Sequence, residues 1–294
     1  MLDPLRGPRD DSAVRNSRPI SLRAAPWLLA LALPLSASET RAADPVRPDL
    51  PQSIAAAHAA RGPDRYTALR SIWRAWDQDD PAAVERALHD LTTDGDPAHR
   101  AYASLLEAYA RRRRGDLDGA RTRIKSLGFV SQWLVVGPFD NEGRAGFGRV
   151  LEPEPALTRK LDAQRAFQGK ERPVRWRSIP DAYPFAWVDL GDLMRPRDKI
   201  CGYATTFVRA RNAAAPRSAS VWIGASGAFK AYFNGEEILS DPAYRDLDSD
   251  RMATSITLAP GWNQLSLKVC ADDSPPMLSV RLADNRGAPD ASLE

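Results

Sequence analysis

The chain has 294 residues, 43% of them hydrophobic, which suits a globular protein of about two domains at ~100–200 residues each. Its 41 Lys and Arg stand against 38 Asp and Glu, a formal net charge of +3. That near balance argues against a nucleic-acid partner held by a basic face.

The N-terminus carries a targeting pattern. Arg6, Arg9, Arg15, Arg18 and Arg23 form a basic leader, followed by an apolar run of 12 residues, Ala24 to Leu35, and the small-residue stretch "SASETRAAD". This is the order of a secretory signal, with cleavage expected after Ala42 or Ala43. The run is shorter than the ~20 residues of a membrane span, and Pro26 and Pro34 bracket it. No transmembrane span is therefore expected in the mature chain. With no cysteine near the cleavage site, a lipoprotein is not expected either. Cutting after Ala43 removes six Arg and four acidic residues and leaves a net charge of +1. Residues 1–43 thus read as a signal peptide, and the protein as exported, periplasmic or extracellular.

Residues 44–128 have the helical period. Tyr66, Leu69, Ile72, Trp73 and Trp76 share one face, and Val84, Ala87, Leu88 and Leu91 make a second stripe. Tyr102, Leu105, Leu106 and Tyr109 form a third; Ala120, Ile124 and Leu127 form a fourth. Breaks fall at "GPD", "DDP", "DGDP" and "GD". In the middle two, an Asp precedes a Pro suited to a first helical turn. The run Arg111–Arg114 reads as a solvated helix end that complements the helix dipole. His58, His89 and His99 are scattered and read as isolated surface histidines.

After Leu127 the period becomes 2. "CGYATTFVRAR", "SVWIGASGAFKAYFNGEEIL", "ITLAPGWNQLSLKV" and "MLSVRLAD" alternate along their length. Asn234-Gly235 is a strong hairpin signal, and Pro260-Gly261 marks a second turn. With Trp133–Val136, Val174–Trp176 and Phe185–Val188 this gives about eight strands, an antiparallel two-sheet sandwich. Trp133, Trp176, Trp187 and Trp222 are expected to fill the space between the sheets. Glycines 143, 146 and 148 follow the first strand with the reverse of dinucleotide spacing, and Pro153 and Pro155 bar the helix that a pyrophosphate needs. That loop reads as a turn, with no phosphate role. The expected fold is therefore α + β in separate domains: helices over 44–128, a sandwich over 129–287 and a tail over 288–294.

Two resemblances add to this. Gly115, Asp116 and Ala120, in "YARRRRGDLDGA" ending in "SLG", resemble the turn and second helix of a tetratricopeptide repeat. Leu258, Gly261, Asn263, Leu265, Lys268 and Val269, after "GAFKAYFNGEEIL", resemble the galactose-binding-like jelly roll attached to many secreted bacterial glycoside hydrolases. Together they look like large secreted bacterial proteins in which such a module follows helical repeats, some with a transglutaminase-like domain downstream. The resemblance implies a jelly roll and leaves the ligand open.

The chemistry is sparse. The sandwich half has no histidine, so a Ser or Cys nucleophile there lacks its usual base. Glu236 and Glu237 are adjacent on a strand and point to opposite faces, so they cannot form a glycosidase pair. Asp246, Asp248 and Asp250 begin an EF-hand-like pattern that fails at Arg251 and Thr257. Arg245 and Arg251 bracing the loop is the preferred reading, with a looser Ca²⁺ site as the alternative. No other cofactor is expected. Cys201 shares parity with Tyr203 and Phe207, and Cys270 with Ser266 and Lys268, which points one thiol inward and the other out unless a strand end twists or bulges. The pairing stays open. Trp262, Tyr232 and Tyr244 are the ligand candidates, because sugar rings stack on exposed aromatic faces. The leading expectation is a non-catalytic binding or scaffolding protein that recognises a carbohydrate or an envelope protein. The alternative is the accessory N-terminal part of a hydrolase, transglutaminase-like enzyme or protease whose catalytic domain lies outside this chain.

Overall fold

Aspartates set most of the helix starts. In the computed structural model, which describes residues 49–76, 79–157, 161–179 and 185–294, helices α1 (Leu50–Ala59), α2 (Gly62–Ala75), α3 (Pro81–His89), α4 (Pro97–Arg113) and α5 (Leu117–Ser126) follow one another. Asp49, Asp80, Asp96 and Asp116 each accept a first-turn N–H of the helix they precede, satisfying donors that have no partner inside the helix. The Asp-Pro pairs act as the sequence predicts. The expected signal peptide lies outside the described residues.

Helix α4 is the hub of this part. It is buried continuously from Ala101 to Ala110 and packs on α2, α3 and α5. Leu69, Ile72, Trp76, Leu88 and Leu105 fill the core between them. His99 departs from the surface expectation. It is 4% exposed, set edge-on to Tyr66 and paired with Asp96 at 2.8 Å. Burial is the main reason its pKa lies below the usual imidazole value. The arginine run is heavily engaged: Arg111 and Arg114 pair with Glu85, Arg111 also with Glu107, and Arg112 lies over Phe185 and Trp187.

The remainder is antiparallel β-structure. The strands are β1 (Leu134–Asp140), β2 (Ala166–Gln168), β3 (Pro173–Arg175), β4 (Arg177–Ser178), β5 (Val188–Asp189) and β6 (Ile200–Val208), followed by β7 (Arg217–Ser226), β8 (Ala228–Phe233), β9 (Glu236–Asp241), β10 (Met252–Leu258), β11 (Asn263–Ala271) and β12 (Met277–Ala283). A six-stranded sheet, β4-β1-β6-β11-β8-β9, faces a four-stranded sheet, β10-β7-β12-β5, with β2-β3 as a separate ribbon. The sandwich core between the sheets holds Val221, Ile223, Phe229, Leu267 and Val280, with Trp133 at its margin.

The six-stranded sheet is buried on its other face as well. The segment running from β1 through β4 wraps over it and forms a second apolar cluster with Phe139, Phe167, Trp176, Tyr203 and Tyr232. This corrects the expected use of the tryptophans. Trp133 alone of the four lies in the inter-sheet core; Trp176 sits under the wrap, Trp187 packs on the helices and Trp222 stacks on Tyr66.

The second cluster also explains the cysteines. Ile200, Ala204 and Val208 point to the inter-sheet core, so the aromatic parity of β6 belongs to the outer face. Cys201 and Cys270 therefore lie on the same side, directly opposite each other in the β6–β11 ladder, and are joined in a disulfide. Gly146 in the glycine loop covers it, since a Cβ there would come within 2.7 Å of Cys201 Sγ. The loop is the lid of this cluster.

The described residues belong to one compact unit, Val46–Glu294. Asp248 joins the two parts, accepting from Arg70 Nε of α2 at 2.7 Å and from the Tyr102 hydroxyl of α4 at 3.3 Å. The tail is anchored, with Pro289 bridged to Ala283 and Leu293 to Ala210.

Candidate ligand-binding surface

The turn between β10 and β11 shows what each residue of the L-x-x-G-x-N-x-L motif does. Leu258 and Leu265 are buried in the sandwich core. Gly261 takes φ +86°, a conformation costly for any residue with a Cβ. The Asn263 side chain, 1% exposed, ties the turn together. Its amide donates to the Ala259 and Gly261 carbonyls, at 2.9 and 3.2 Å, and its oxygen accepts from the Ala259 N–H. Asn234 of the neighbouring hairpin donates to the same oxygen at 3.0 Å and accepts from the Gln264 N–H. Both Asn234 and Gly235 have positive φ, as the two-residue turn requires. The two turns lock each other.

This rigid corner presents Trp262, which is 58% exposed. Arg209 lies over its ring at 4.4 Å and is held in turn by Glu294. Phe207, which pairs across the ladder with Gln264, is 41% exposed beside it. The two rings border an open cleft of about 670 Å³ whose walls include Gln132, Ser178 and Thr206. The side chains of those three residues make no hydrogen bond among the described residues. An exposed aromatic pair with unengaged amide and hydroxyl groups can hold a ring by apolar contact and fix its orientation by hydrogen bonds. Phe207 was missed at the sequence level because its parity groups it with the buried Tyr203.

The other candidates lie elsewhere. Tyr232 is 8% exposed, and its hydroxyl donates to Glu154 Oε2 at 3.1 Å. Glu154 Oε1 accepts from the wholly buried Lys268 at 2.7 Å and from Tyr203 at 2.6 Å. Burial by itself raises the Glu154 pKa, but the bonds from Lys268 and Tyr203 outweigh it and hold the carboxyl below its ordinary value. Burial, then the Glu154 charge, pushes both tyrosine hydroxyls up. Tyr244 is half-buried, hydrogen-bonded to Asn141 and covered by Arg144 at 4.6 Å. Neither tyrosine lines the Trp262 cleft.

The three aspartates do not converge. Asp250 pairs with Arg281 and both are buried, Asp248 faces Arg70 and Arg251, and the Asp246 carbonyl accepts from Arg251. No group of three or more His, Cys, Asp or Glu side chains is placed to hold a metal ion among the described residues. No helix among them is long and apolar enough to cross a membrane.

No protein-family model matches the chain, and no curated protein matches it. Among solved structures it is similar to a PA14 sugar-binding domain from an RTX adhesin, at 13% identity and TM-score 0.26 over 31% of this chain and 49% of that one. It is also similar to a β-glucosidase from Kluyveromyces marxianus in complex with glucose, at 10% identity and TM-score 0.29 over 51% of this chain and 15% of that one. A β-glucuronidase from an uncultured Clostridium gives 12% identity and TM-score 0.30 over 53% and 29%. The chain spans about half of the adhesin domain and under a third of each enzyme. No residue here takes a role from them.

Proposed function

We propose that this is an exported, non-catalytic binding protein whose galactose-binding-like sandwich holds a carbohydrate at the Trp262–Phe207 cleft. One observation carries the reading: two exposed aromatic rings, Trp262 on a locked turn and Phe207 on the adjacent strand, stand next to polar side chains that make no hydrogen bond among the described residues. The absence of histidine from the sandwich half supports a binding role over nucleophilic catalysis. The N-terminal basic leader and apolar run support export, and the helices, in the tetratricopeptide-like reading, supply a scaffold against a second protein.

The test is titration of the folded protein against a panel of oligosaccharides. Trp262→Ala should weaken binding at least ten-fold while leaving the melting temperature unchanged, because the ring is solvent-exposed. If no glycan binds and crosslinking recovers a protein partner instead, the chain is a scaffold and the carbohydrate reading is wrong. Sequencing the N-terminus of the exported protein tests the cleavage site; it should begin at Ala43 or Asp44.

A further inference from the structure

Many arginines among the described residues pair with a carboxylate, Arg111 and Arg114 of the conspicuous run included. Four that form no such pair, Arg172, Arg175, Arg177 and Arg195, line a single cleft of about 570 Å³. Arg177 donates to the Leu193 carbonyl, and Arg195 to the carbonyls of Gly191 and Met194. Arg172 and Arg175 make no side-chain hydrogen bond or ion pair among the described residues. Among the described residues, Glu171, Asp192 and Asp198 lie close in sequence and form no ion pair with any of the four; Asp181, four residues after Arg177, lies outside the described residues.

Local structure gathers these charges. Strand alternation buries Val174 and Trp176 beneath the wrap and turns Arg175 and Arg177 outward. Arg172 comes from the β2–β3 turn, where its carbonyl accepts from the Gly169 N–H at 3.1 Å. Arg195 follows a helical turn at Leu190–Leu193. The floor is apolar, formed by Pro138, Val174 and Met194, and a low-dielectric wall focuses the field of charges set on it. Burial, and after it the like charge of Arg172, pulls the Arg177 guanidinium below its usual value. An anion in the cleft relieves that repulsion.

We propose that this cleft binds the oxyanion groups of an acidic polysaccharide. Guanidinium groups hold carboxylates and sulfates through paired, charge-assisted hydrogen bonds. Four of them spread along a cleft match the repeated charges of a chain better than a single ion. The one aromatic ring lining the cleft among the described residues, Trp176, is 7% exposed. It offers no platform for the base stacking that single-stranded nucleic acid uses. The proposal borrows the ligand class from the carbohydrate reading but stands on different residues.

The probes are heparin for sulfate, polygalacturonate for carboxylate, dextran as the neutral control and oligo(dT) as the nucleic-acid control. Arg172→Gln/Arg175→Gln removes two charges that make no side-chain hydrogen bond or ion pair among the described residues, so the melting temperature should hold. At low salt this variant should bind heparin, polygalacturonate or both at least ten-fold more weakly than the parent. The salt dependence of log K should flatten by about 1.5, at ~0.7–0.9 per charge. Arg172→Lys/Arg175→Lys should recover much of the salt-dependent binding. Polyanion binding that survives Trp262→Ala but is lost in the glutamine pair assigns it here, even if no neutral glycan binds at Trp262. The proposal is overturned if the glutamine pair binds both polysaccharides as well as the parent does, if neither polysaccharide binds, if dextran competes equally, or if oligo(dT) alone binds.

Discussion

Glu154 is the residue on which the outer face of the six-stranded sheet depends. It opens a single 3-10 turn, Glu154–Ala156, yet its carboxylate gathers Lys268, Tyr203, Tyr232 and the Leu151 N–H. Lys268, with 0% of its side chain exposed, has no other carboxylate partner among the described residues and otherwise donates to the carbonyls of Phe147 and Arg149. Removing one member of a buried pair leaves the other charge uncompensated, a loss of about 3–5 kcal/mol. Glu154→Gln should therefore lower the melting temperature by roughly 6–20 °C, at ~2–4 °C per kcal/mol for a chain of this size. The pH dependence has a definite sign. A carboxyl whose pKa is lowered by folding stabilises the protein above its unfolded value, here 4.5, and that contribution disappears as the pH falls through the folded value. Melting curves between pH 7 and pH 3 should show the parent losing stability below about pH 4.5 faster than Glu154→Gln. Parallel curves would mean that the carboxylate is not the group responsible. Lys268 was readable in the sequence as an outward-facing motif residue, but its buried partner was not, because nothing in a period of 2 points to a residue 114 positions away.

At the scale of elements, the loop between β9 and β10 has the densest consequences. Its aspartates hold arginines of α2, in the helical part, and β12, in the four-stranded sheet. Arg281, 0% exposed, donates from Nε and Nη2 to Asp250 Oδ2 at 2.8 and 2.6 Å and from Nη1 to the Gly287 carbonyl. Two residues back, Asp248 receives Arg70, which also reaches the Asp250 carbonyl at 3.2 Å. Asp250→Asn should destabilise the protein by about 3–5 kcal/mol. The expected signature is local as well as global, because losing the loop's anchor also loosens Arg70. Hydrogen exchange should quicken in α2 and α4 more than in β8 and β11, and uniform protection across the four would refute the coupling. Sequence reasoning foresaw Asp–Arg bracing here but named Arg245 and Arg251, the arginines nearest in the chain. Local pairs do occur. The buried partner Arg281 was not named, because nothing in the alternation of its strand reveals that a helical layer covers that side of the sheet.

The same limit operates on the whole molecule. Helix caps, the Asn-Gly hairpin and the Leu258–Val269 motif were legible because each is local chemistry at a fixed spacing. Face assignment on β6 was not, since a strand buried on both sides carries no polar face to mark the exterior. The helical part has an equivalent dependence on distant residues. Its core includes Ala186, with Phe129, Phe185 and Trp187 packed against it, and Tyr109 donates to the Phe185 carbonyl at 3.3 Å. On the sandwich side, Trp222 stacks on Tyr66, and the Phe129 bridge to Arg281 continues the contact. Each part thus completes the other's apolar packing, and cooperative unfolding follows when neither side of a shared core is stable without the other. Calorimetry of residues 44–294 should give one transition, with calorimetric and van't Hoff enthalpies in agreement. Residues 129–294 expressed alone should expose Trp187 and Trp222, bind an apolar dye and melt well below the longer chain. Two resolved transitions in residues 44–294, with the sandwich transition unchanged on removal of the helices, would show instead that the interface adds nothing to stability and that the helices are a tethered neighbour.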